Sequence, residues 1–207
     1  MKRKSYFIAI EGIEGVGKTT LSRIVESHLS KCGYPTEMTR EPGGTELAEK
    51  VRSLLKDKQY EIDPVTELLL MFSARSHHVT QRIKPLLEKG VSVISDRYVD
   101  ASYAYQGGGR GIEDTSITQL ERLACQGIRP DMVILVTCPV DVAMQRVLSR
   151  NEAIDRIEQE KREFFERAQE KYLSIARGND TYLVIDGSQP LEDVERDLQK
   201  HLAELIQ

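Results

Sequence analysis

The stretch Gly12-Ile13-Glu14-Gly15-Val16-Gly17-Lys18-Thr19 matches the pattern G-x-x-x-x-G-K-[ST], which is typical of loops that bind phosphate groups. Its surroundings fit that pattern. The apolar residues 7–10 before the loop predict a buried strand, and apolar residues within 21–29 recur at helical spacing after it. This order of strand, loop and helix predicts a binding site for a nucleoside triphosphate.

Each part of the loop suits phosphate chemistry. The glycines let backbone N–H groups turn toward phosphate oxygens, and the positive end of the following helix favours an anion. Lys18 is expected to reach the β- and γ-phosphates, and Thr19 to hold Mg²⁺. A glycine-rich turn without a ligand is the alternative, which the Lys-Thr pair and the context disfavour. The residues predicted to bind the triphosphate are Gly12, Ile13, Glu14, Gly15, Val16, Gly17, Lys18, Thr19 and Thr20.

The composition favours one soluble enzyme domain spanning residues 1–207. A chain of 207 residues that is 40% hydrophobic can bury a substantial core. The net charge of -4 disfavours binding to a nucleic-acid polymer. No apolar stretch approaches the ~20 residues of a membrane span, so a cytoplasmic protein is expected. The odd cysteines Cys32, Cys125 and Cys138 predict buried, reduced thiols rather than a disulfide or zinc site.

Strand-like runs alternate with helical patterns along the chain. This alternation predicts a three-layer α/β/α fold, in which helices cover both faces of a five-stranded parallel sheet. In such folds ligands bind at the carboxyl ends of the strands. The five predicted strands are residues 7–10, 36–39, 91–95, 132–136 and 182–185.

Charged residues follow the second and third of these strands. Pro42 and the two glycines after it break the chain, and Thr45 is placed to cap a helix. Asp96 ends an apolar strand, where a carboxylate that supports Mg²⁺ is expected in a phosphate-loop protein. Arg97 has the fork geometry that suits phosphate. A structural salt bridge between these two residues is the alternative, which the phosphate loop makes less favoured.

A helix predicted over residues 67–87 and the loop after Asp96 carry groups that suit a nucleobase. Met71 and Phe72 lie four and three residues before Arg75, so either can share its face of the helix. Core packing of both apolar side chains and solvation of Arg75 is the simpler alternative. Ser102, Tyr105 and Gln106 precede a triglycine turn and offer hydroxyl and amide groups, although an ordinary loop would contain them too.

These separated motifs together resemble the bacterial thymidylate kinases, and the resemblance covers nearly the whole chain. The family's motifs match in order. They are the phosphate loop with an acidic residue at 12–20, R-E-P-G-G-T at 40–45, D-R-Y at 96–98, A-Y-Q-G-G-G-R-G at 104–111 and D-R-I-E-Q-E at 155–160.

The resemblance implies Mg²⁺-dependent transfer of the γ-phosphate of ATP to dTMP, in the pathway to dTTP, by a homodimer of a phosphate-loop NTPase fold. Catalysis is then mainly positioning and charge neutralisation. Lys18, Arg150 and Arg156 would serve the transferred group, Thr19 and Asp96 the metal, and Arg97 the acceptor phosphate. Glu14 would contact the sugar hydroxyl or a metal-bound water. The residues that would bind dTMP are Glu41, Pro42, Arg52, Met71, Phe72, Arg75, Arg97, Ser102, Tyr105 and Gln106.

Two features refine this resemblance. No basic residue precedes Lys18 in the loop, whereas arginines flank residues 149–155, so the chain resembles members that carry this charge in a mobile helical lid, here at about 146–157. The family usually places a stacking Phe four residues before the base-reading Arg, and Met71 occupies that place here. Whether Met71 or Phe72 contacts thymine stays open, because a one-residue shift turns a helical side chain by ~100°.

Two other functions remain as alternatives. Another nucleoside-monophosphate or deoxynucleoside kinase of the same fold would share the loop and the lid, but the 40–45 and 104–111 matches disfavour it. A nucleotide-dependent switch or motor is the second alternative. The residues after the fourth strand, Thr137-Cys138-Pro139-Val140-Asp141, lack an N-K-x-D guanine reader, which weakens that hypothesis.

Overall fold

The computed structural model describes residues 4–150 and 153–206. Five parallel strands form one sheet in the order β2-β3-β1-β4-β5, which confirms the predicted sheet. Each strand matches its prediction to within one residue at either end. The strands are β1 (Phe7–Glu11), β2 (Thr36–Arg40), β3 (Ser92–Asp96), β4 (Met132–Thr137) and β5 (Tyr182–Asp186).

Helices flank the sheet and complete the predicted three-layer α/β/α architecture. The helix predicted over 67–87 is a continuous helical run in which α3 passes through a π-helical turn, Val79–Ile83, into α4. The α-helices of the described residues are α1 (Lys18–Lys31), α2 (Glu46–Lys56), α3 (Pro64–His78), α4 (Lys84–Glu88), α5 (Val99–Ser102), α6 (Asp114–Cys125), α7 (Val140–Leu148), α8 (Arg162–Ala176) and α9 (Leu191–Leu205).

The central strand β1 joins two hydrophobic clusters, one on each face of the sheet. Every residue of β1 is buried. Ile8 and Ile10 pack into one cluster, whereas Phe7 and Ala9 pack into the other. Successive side chains of a strand point to opposite faces, so a strand covered on both sides is mainly apolar, as residues 7–10 of β1 are. This burial fixes the position of the phosphate loop that follows directly.

Local sequence signals explain where α2 and α3 begin. The Thr45 hydroxyl accepts a hydrogen bond from the Ala48 backbone N–H at 3.3 Å, which confirms Thr45 as the N-cap of α2. Asp63 caps α3 by accepting from two backbone N–H groups, and Pro64 occupies the first helical position, where its missing N–H costs nothing. Both helices therefore begin at residues that the local sequence specifies.

The triglycine segment is not the turn that the sequence suggested. Residues Tyr103–Gly109 form a π-helix that packs against α8. A Cβ atom built on Gly109 would lie 2.4 Å from a ring carbon of Phe164, so a larger residue would force the two helices apart. The glycines thus serve close packing, and this packing keeps Tyr105 and Gln106 on an ordered helical face.

The predicted lid at about 146–157 connects α7 to α8. Helix α7 ends at Leu148, and the described residues from Ala153 to Glu160 form turns or irregular structure rather than the helix expected there. Two residues of the predicted lid, Asn151 and Glu152, lie outside the described residues.

The cysteine prediction is correct for two of the three thiols. Cys125 and Cys138 are buried and free, whereas Cys32 is exposed because it lies directly after the last turn of α1, at the surface. Within residues 4–150 and 153–206, no helix combines the length and the apolar character that a membrane crossing requires.

A buried carboxylate, Glu11, fixes the junction between β1 and β3. Glu11 accepts hydrogen bonds from the Tyr98 backbone N–H at 2.7 Å and from the Tyr172 hydroxyl at 2.8 Å. Burial, and then the nearby charge of Asp100, raise the pKa of Glu11 from 4.5 to about 8. The folded chain therefore binds a proton here that the unfolded chain releases near pH 4.5.

This proton predicts a specific pH dependence of stability. Because the folded state holds the Glu11 proton more tightly, the free energy of unfolding should fall as the pH rises from 4.5 through about 8. The side chain of Glu11→Gln cannot titrate. When urea unfolding is measured across that window, the free energy of unfolding of this variant should therefore fall by at least about 1 kcal/mol less than that of the wild type. Glu170→Gln, at an exposed position of α8, controls for the loss of one carboxylate. If the free energy of unfolding changed with pH in the same way in the wild type and in Glu11→Gln, the prediction would be contradicted.

Candidate active site

The loops that follow β1, β2 and β3 meet at one edge of the sheet. This follows from the strand order, because β3 lies between β1 and β2 and Asp96 is in register with both Ile10 and Arg40. Two adjoining cavities lie at this edge, as expected for the carboxyl ends of parallel strands. We call them the phosphate cleft and the base cavity.

The phosphate cleft has a volume of about 540 Å³ and a lining rich in cations. The phosphate loop and α1 form one wall, and the lid and α2 form the other. Clustered cations with a few carboxylates suit an anionic ligand that also carries a metal ion. The charged residues that line the cleft are Lys18, Arg52, Lys56, Arg97, Arg146, Arg150, Glu14, Asp96, Asp155 and Glu158.

Lys18 is the buried cation of the phosphate loop. Its ammonium donates to the carbonyl oxygens of Gly12 at 3.0 Å and Ile13 at 2.8 Å. Burial, and then the charge of Arg97, lower the pKa of Lys18 from 10.5 to about 8. The environment therefore disfavours this positive charge, and an anion bound in the cleft would favour the charged form of Lys18 again. Ile13 and Val16 bury their side chains in the core, which leaves only their backbone to face a ligand.

Gly12 has a backbone geometry that only glycine accommodates here. Its φ is +133°, and a Cβ would lie 2.3 Å from the carbonyl oxygen of Val136. Thr19 lines the phosphate cleft. Thr20 does not line this cleft. It lies with Arg23 and Ile24 on another surface of α1, because one residue further along a helix turns the side chain by ~100°.

Arg97 lies where the two cavities meet and lines both of them. Its backbone adopts a left-handed φ of 70°, which is uncommon outside glycine and aims the side chain across the sheet edge. The guanidinium donates to Glu14 at 2.6 Å and to the Tyr105 hydroxyl at 3.1 Å, and that hydroxyl donates to Glu14 at 2.7 Å. The strained residue is thus held by the phosphate loop and by the π-helix together.

The base cavity is smaller, about 70 Å³, and more apolar than the cleft. Side chains of α2, α3, the π-helix and the lid surround it, and it shares Glu14, Arg52, Lys56, Arg97 and Asp155 with the phosphate cleft. Its remaining lining residues are Glu41, Pro42, Leu55, Met71, Arg75, Ala101, Ser102, Tyr105, Gln106 and Ile157.

Arg75 lines this cavity and is buried, with 2% of its surface exposed. Its guanidinium donates to Glu41 at 2.6 Å, to the Ser102 hydroxyl at 2.8 Å and to the Tyr98 carbonyl at 2.9 Å. The alternative of a solvated Arg75 is therefore wrong. Although burial raises the pKa of Glu41, Arg75 and His78 hold it below its usual value, so Glu41 remains the counter-ion.

The structure separates the two candidates for contact with the base. Met71 lines the base cavity, whereas Phe72 is buried in the core and lies 4.6 Å from the Arg75 guanidinium. The expected contact of Phe72 with a substrate is therefore not supported. Its ring instead packs against the Arg75 guanidinium, because the one-residue shift along α3 turns the ring away from the cavity.

The remaining predicted substrate residues converge on the same place. The Arg52 guanidinium donates to the Pro42 carbonyl at 3.0 Å and lines both cavities. Burial, followed by the charges of Arg40 and Arg97, lowers the pKa of Arg52. Glu41, Pro42, Ser102, Tyr105 and Gln106 all line the base cavity.

The two lid arginines differ in what they contact. Arg150 lines the phosphate cleft and lies 3.6 Å from Glu158. Arg156 does not line this cleft. Its guanidinium donates to the Leu55 carbonyl at 2.9 Å and to Glu67 at 2.6 Å. The expectation that both arginines face the transferred group is therefore corrected for Arg156. A buried carboxylate attracts Arg156 away from the cleft.

The predicted metal residues have suitable chemistry. Asp96 and Thr19 both line the phosphate cleft, and the buried Asp96 Oδ1 accepts no hydrogen bond from the described residues. A carboxylate oxygen that lacks such a partner, beside a hydroxyl, suits a hard cation that keeps most of its own water ligands, as Mg²⁺ does. The described part of the chain contains no group of three or more His, Cys, Asp or Glu that could form an all-protein metal site.

Several residues that contribute to the site were missed in the sequence, and three of them have charged or titratable side chains that hold parts of it in place or line it. Lys56 lines both cavities, His78 donates or accepts a hydrogen bond with Glu41 at 2.9 Å, and Glu67 binds the lid. The spacing contained a usable signal. Glu67, Met71 and Arg75 recur every four residues, which places them on one face of α3, and His78 follows three residues later.

Comparison with known proteins agrees with this geometry. The family model described as thymidylate kinase matches residues 10–198. Curated thymidylate kinases of Hahella chejuensis and Chromohalobacter salexigens are 45% and 46% identical, covering 97% of this chain and 97% and 96% of theirs. The crystal structure of thymidylate kinase from Ehrlichia chaffeensis is 32% identical, with a TM-score of 0.77 over 98% of this chain and 99% of that chain.

The family match spans both cavities, the end of β1 and the other four strands, and the first of these relatives is matched over 97% of its length. The chain belongs to the thymidylate kinase family.

Proposed function

We propose that this protein phosphorylates dTMP with ATP, giving dTDP and ADP, as a step in the synthesis of dTTP. The observation that carries the proposal is the position of Arg97, which lines both the phosphate cleft and the base cavity. A triphosphate in the cleft and a monophosphate extending from the base cavity would bring their phosphates together there. The family membership supports the same reaction.

The reaction needs positioning and charge compensation rather than a covalent intermediate. The acceptor is already an oxyanion, so the main barrier is the approach of two anions in line. We assign Lys18 and Arg150 to the transferred group and Arg97 to the acceptor phosphate, with Arg52 as a further phosphate ligand. Glu14 holds Arg97, and it is the carboxylate we expect near the sugar hydroxyl or a metal-bound water. Each assignment rests on side chains that line the phosphate cleft.

The base cavity has the donors and acceptors that thymine requires. Arg75 is held by Glu41 and Ser102 and carries only donors, which suit the O4 carbonyl of thymine. Met71 offers an apolar, polarisable surface for one face of the ring. Tyr105 and Gln106 line the cavity from the π-helix, where they would enclose base and sugar.

Mg²⁺ would be held through Thr19 and Asp96, and it would neutralise charge on the transferred phosphate. The whole chain, residues 1–207, would act as one catalytic domain, which its single sheet supports.

We also propose a homodimer, since α3 and α6 pack together and expose the apolar side chains of Val65, Leu69 and Leu123. The free thiols fit a reducing compartment, for which we propose the cytoplasm.

Substrate choice tests the proposed function most simply. ADP release should be fastest with dTMP, slower with dUMP, and very slow with dCMP, dAMP and dGMP. Arg75 faces the exocyclic amino group of cytosine unfavourably, and purines exceed a pyrimidine-sized cavity. The 5-methyl group contributes only ~1–3 kcal/mol, so dUMP should lose about 10- to 200-fold in kcat/KM. Equal kcat/KM values for dCMP or dGMP and dTMP would exclude thymidylate as the preferred acceptor.

Arg97→Lys tests where the acceptor phosphate binds. Lysine keeps the charge but loses the planar fork, so the KM for dTMP should rise by about 10-fold or more while the affinity for ATP changes little. Arg40→Lys is the matched control, because Arg40 is the last residue of a strand at this edge but pairs with Glu49 in solvent. Unchanged kinetics for dTMP in Arg97→Lys would remove Arg97 from the acceptor site.

A further inference from the structure

Glu67 is a fully buried carboxylate on α3 that accepts hydrogen bonds from three residues of two separate segments, the π-helix with its C-cap and the lid. Its partners are Gln106 Nε2 at 2.8 Å, Arg110 Nε and Nη2 at 3.2 and 3.1 Å, and Arg156 Nη2 at 2.6 Å. Hydrogen bonds to Arg110 and Gln106 hold the pKa of Glu67 below its usual value despite burial. A charge buried in this way persists only while its partners stay in place.

Two of these partners belong to different parts of the site. Gln106 lines the base cavity, and Arg156 belongs to the lid. The lid also reaches both cavities, because Ile157 lines the base cavity, Arg150 lines the phosphate cleft, and Asp155 lines both. One carboxylate therefore connects the position of the lid with the position of a side chain that lines the base cavity.

The other contacts of the lid with α2 are weaker anchors. Arg156 donates to the carbonyl oxygens of Leu55 and Lys56, through its side chain at 2.9 Å and its backbone N–H at 3.3 Å. Lys56 pairs with Asp155 at 3.0 Å and is 44% exposed, so solvent screens that pair. Glu67 is the buried charge that opposes the Arg156 guanidinium, which is 13% exposed.

We propose that Glu67 is a positioning residue that holds the lid against the base cavity and so makes ATP and dTMP strengthen each other's binding. When either nucleotide stabilises the closed lid, the second binds without meeting that ordering cost again. The inference rests on the proposed function, because it takes dTMP as the occupant of the base cavity. Glu67 touches neither cavity and acts through Gln106 and Arg156.

Glu67→Gln and Glu160→Gln form a matched pair of variants. Both carboxylates accept a hydrogen bond from Arg110, but only Glu67 also binds Gln106 and Arg156. Glutamine keeps the shape of the side chain at position 67 while it removes the negative charge. The charge that opposes Arg156 is thus lost in one variant and kept in the other.

Calorimetric titration of dTMP, with and without a non-hydrolysable ATP analogue and Mg²⁺, measures the coupling. In the wild type and in Glu160→Gln, the analogue should lower the Kd of dTMP by about 5-fold or more. In Glu67→Gln, the two Kd values should agree within about twofold. Full coupling in Glu67→Gln, or no coupling in the wild type, would overturn the inference. Wild-type protein that binds no dTMP would instead overturn the proposed function.

A second variant keeps the test decisive if Glu67→Gln does not fold, as judged by circular dichroism. Arg156→Gln removes only the ion pair between the lid and Glu67, and it leaves Arg110 and Gln106 bound to Glu67. It should lose the coupling to the same extent as Glu67→Gln. A folded Arg156→Gln that retains the wild-type coupling would show that the contact between Glu67 and the lid does not transmit it.

Discussion

The ion pair between Arg97 and Glu14 connects the two halves of the site. Glu14 belongs to the loop after β1, and Arg97 follows β3, so the pair forms only because these strands are neighbours in register. A left-handed backbone at Arg97 and the hydroxyl of Tyr105 complete the arrangement. If this pair were displaced, the cleft that suits ATP and the cavity that suits a base would lose the shared cation that the phosphate loop holds in place, and only Arg52 and Lys56 of α2 would still line both.

Buried charge is the second constraint on the molecule. Glu41 and Glu67 are almost fully buried, and each is satisfied by donors from other parts of the chain. Replacing one partner of such a group leaves the other unpaired, which commonly costs 3–5 kcal/mol. These carboxylates therefore fix the geometry of Arg75 and the lid more firmly than exposed ion pairs could.

Local patterns in the sequence were sufficient for the fold and for much of the site. Apolar runs gave the five strands, and the glycine spacing gave the phosphate loop, because both depend on residues close together in the chain. Thr45 was recognised as a cap for the same reason. The approach of α8 to Gly109 was not predictable, since it depends on Phe164, a residue far along the chain.

The directions of long side chains do not follow from the sequence pattern. Arg156 was expected at the transferred phosphate, yet it turns toward Glu67, which lies 89 residues earlier. Arg75 was placed on the correct face of α3, but its partners Glu41 and Ser102 come from two other segments. Such contacts are set by the packing of distant elements, which spacing alone does not encode.

A crystal structure with dTMP, ADP, Mg²⁺ and aluminium fluoride would test the central claim most directly, because the fluoride stands in for the transferred phosphoryl group. The account predicts that Arg97 contacts the acceptor phosphate while it keeps its ion pair with Glu14, with Lys18 and Arg150 at the fluoride. An acceptor phosphate bound away from Arg97, with the base outside the cavity that contains Arg75 and Met71, would contradict it.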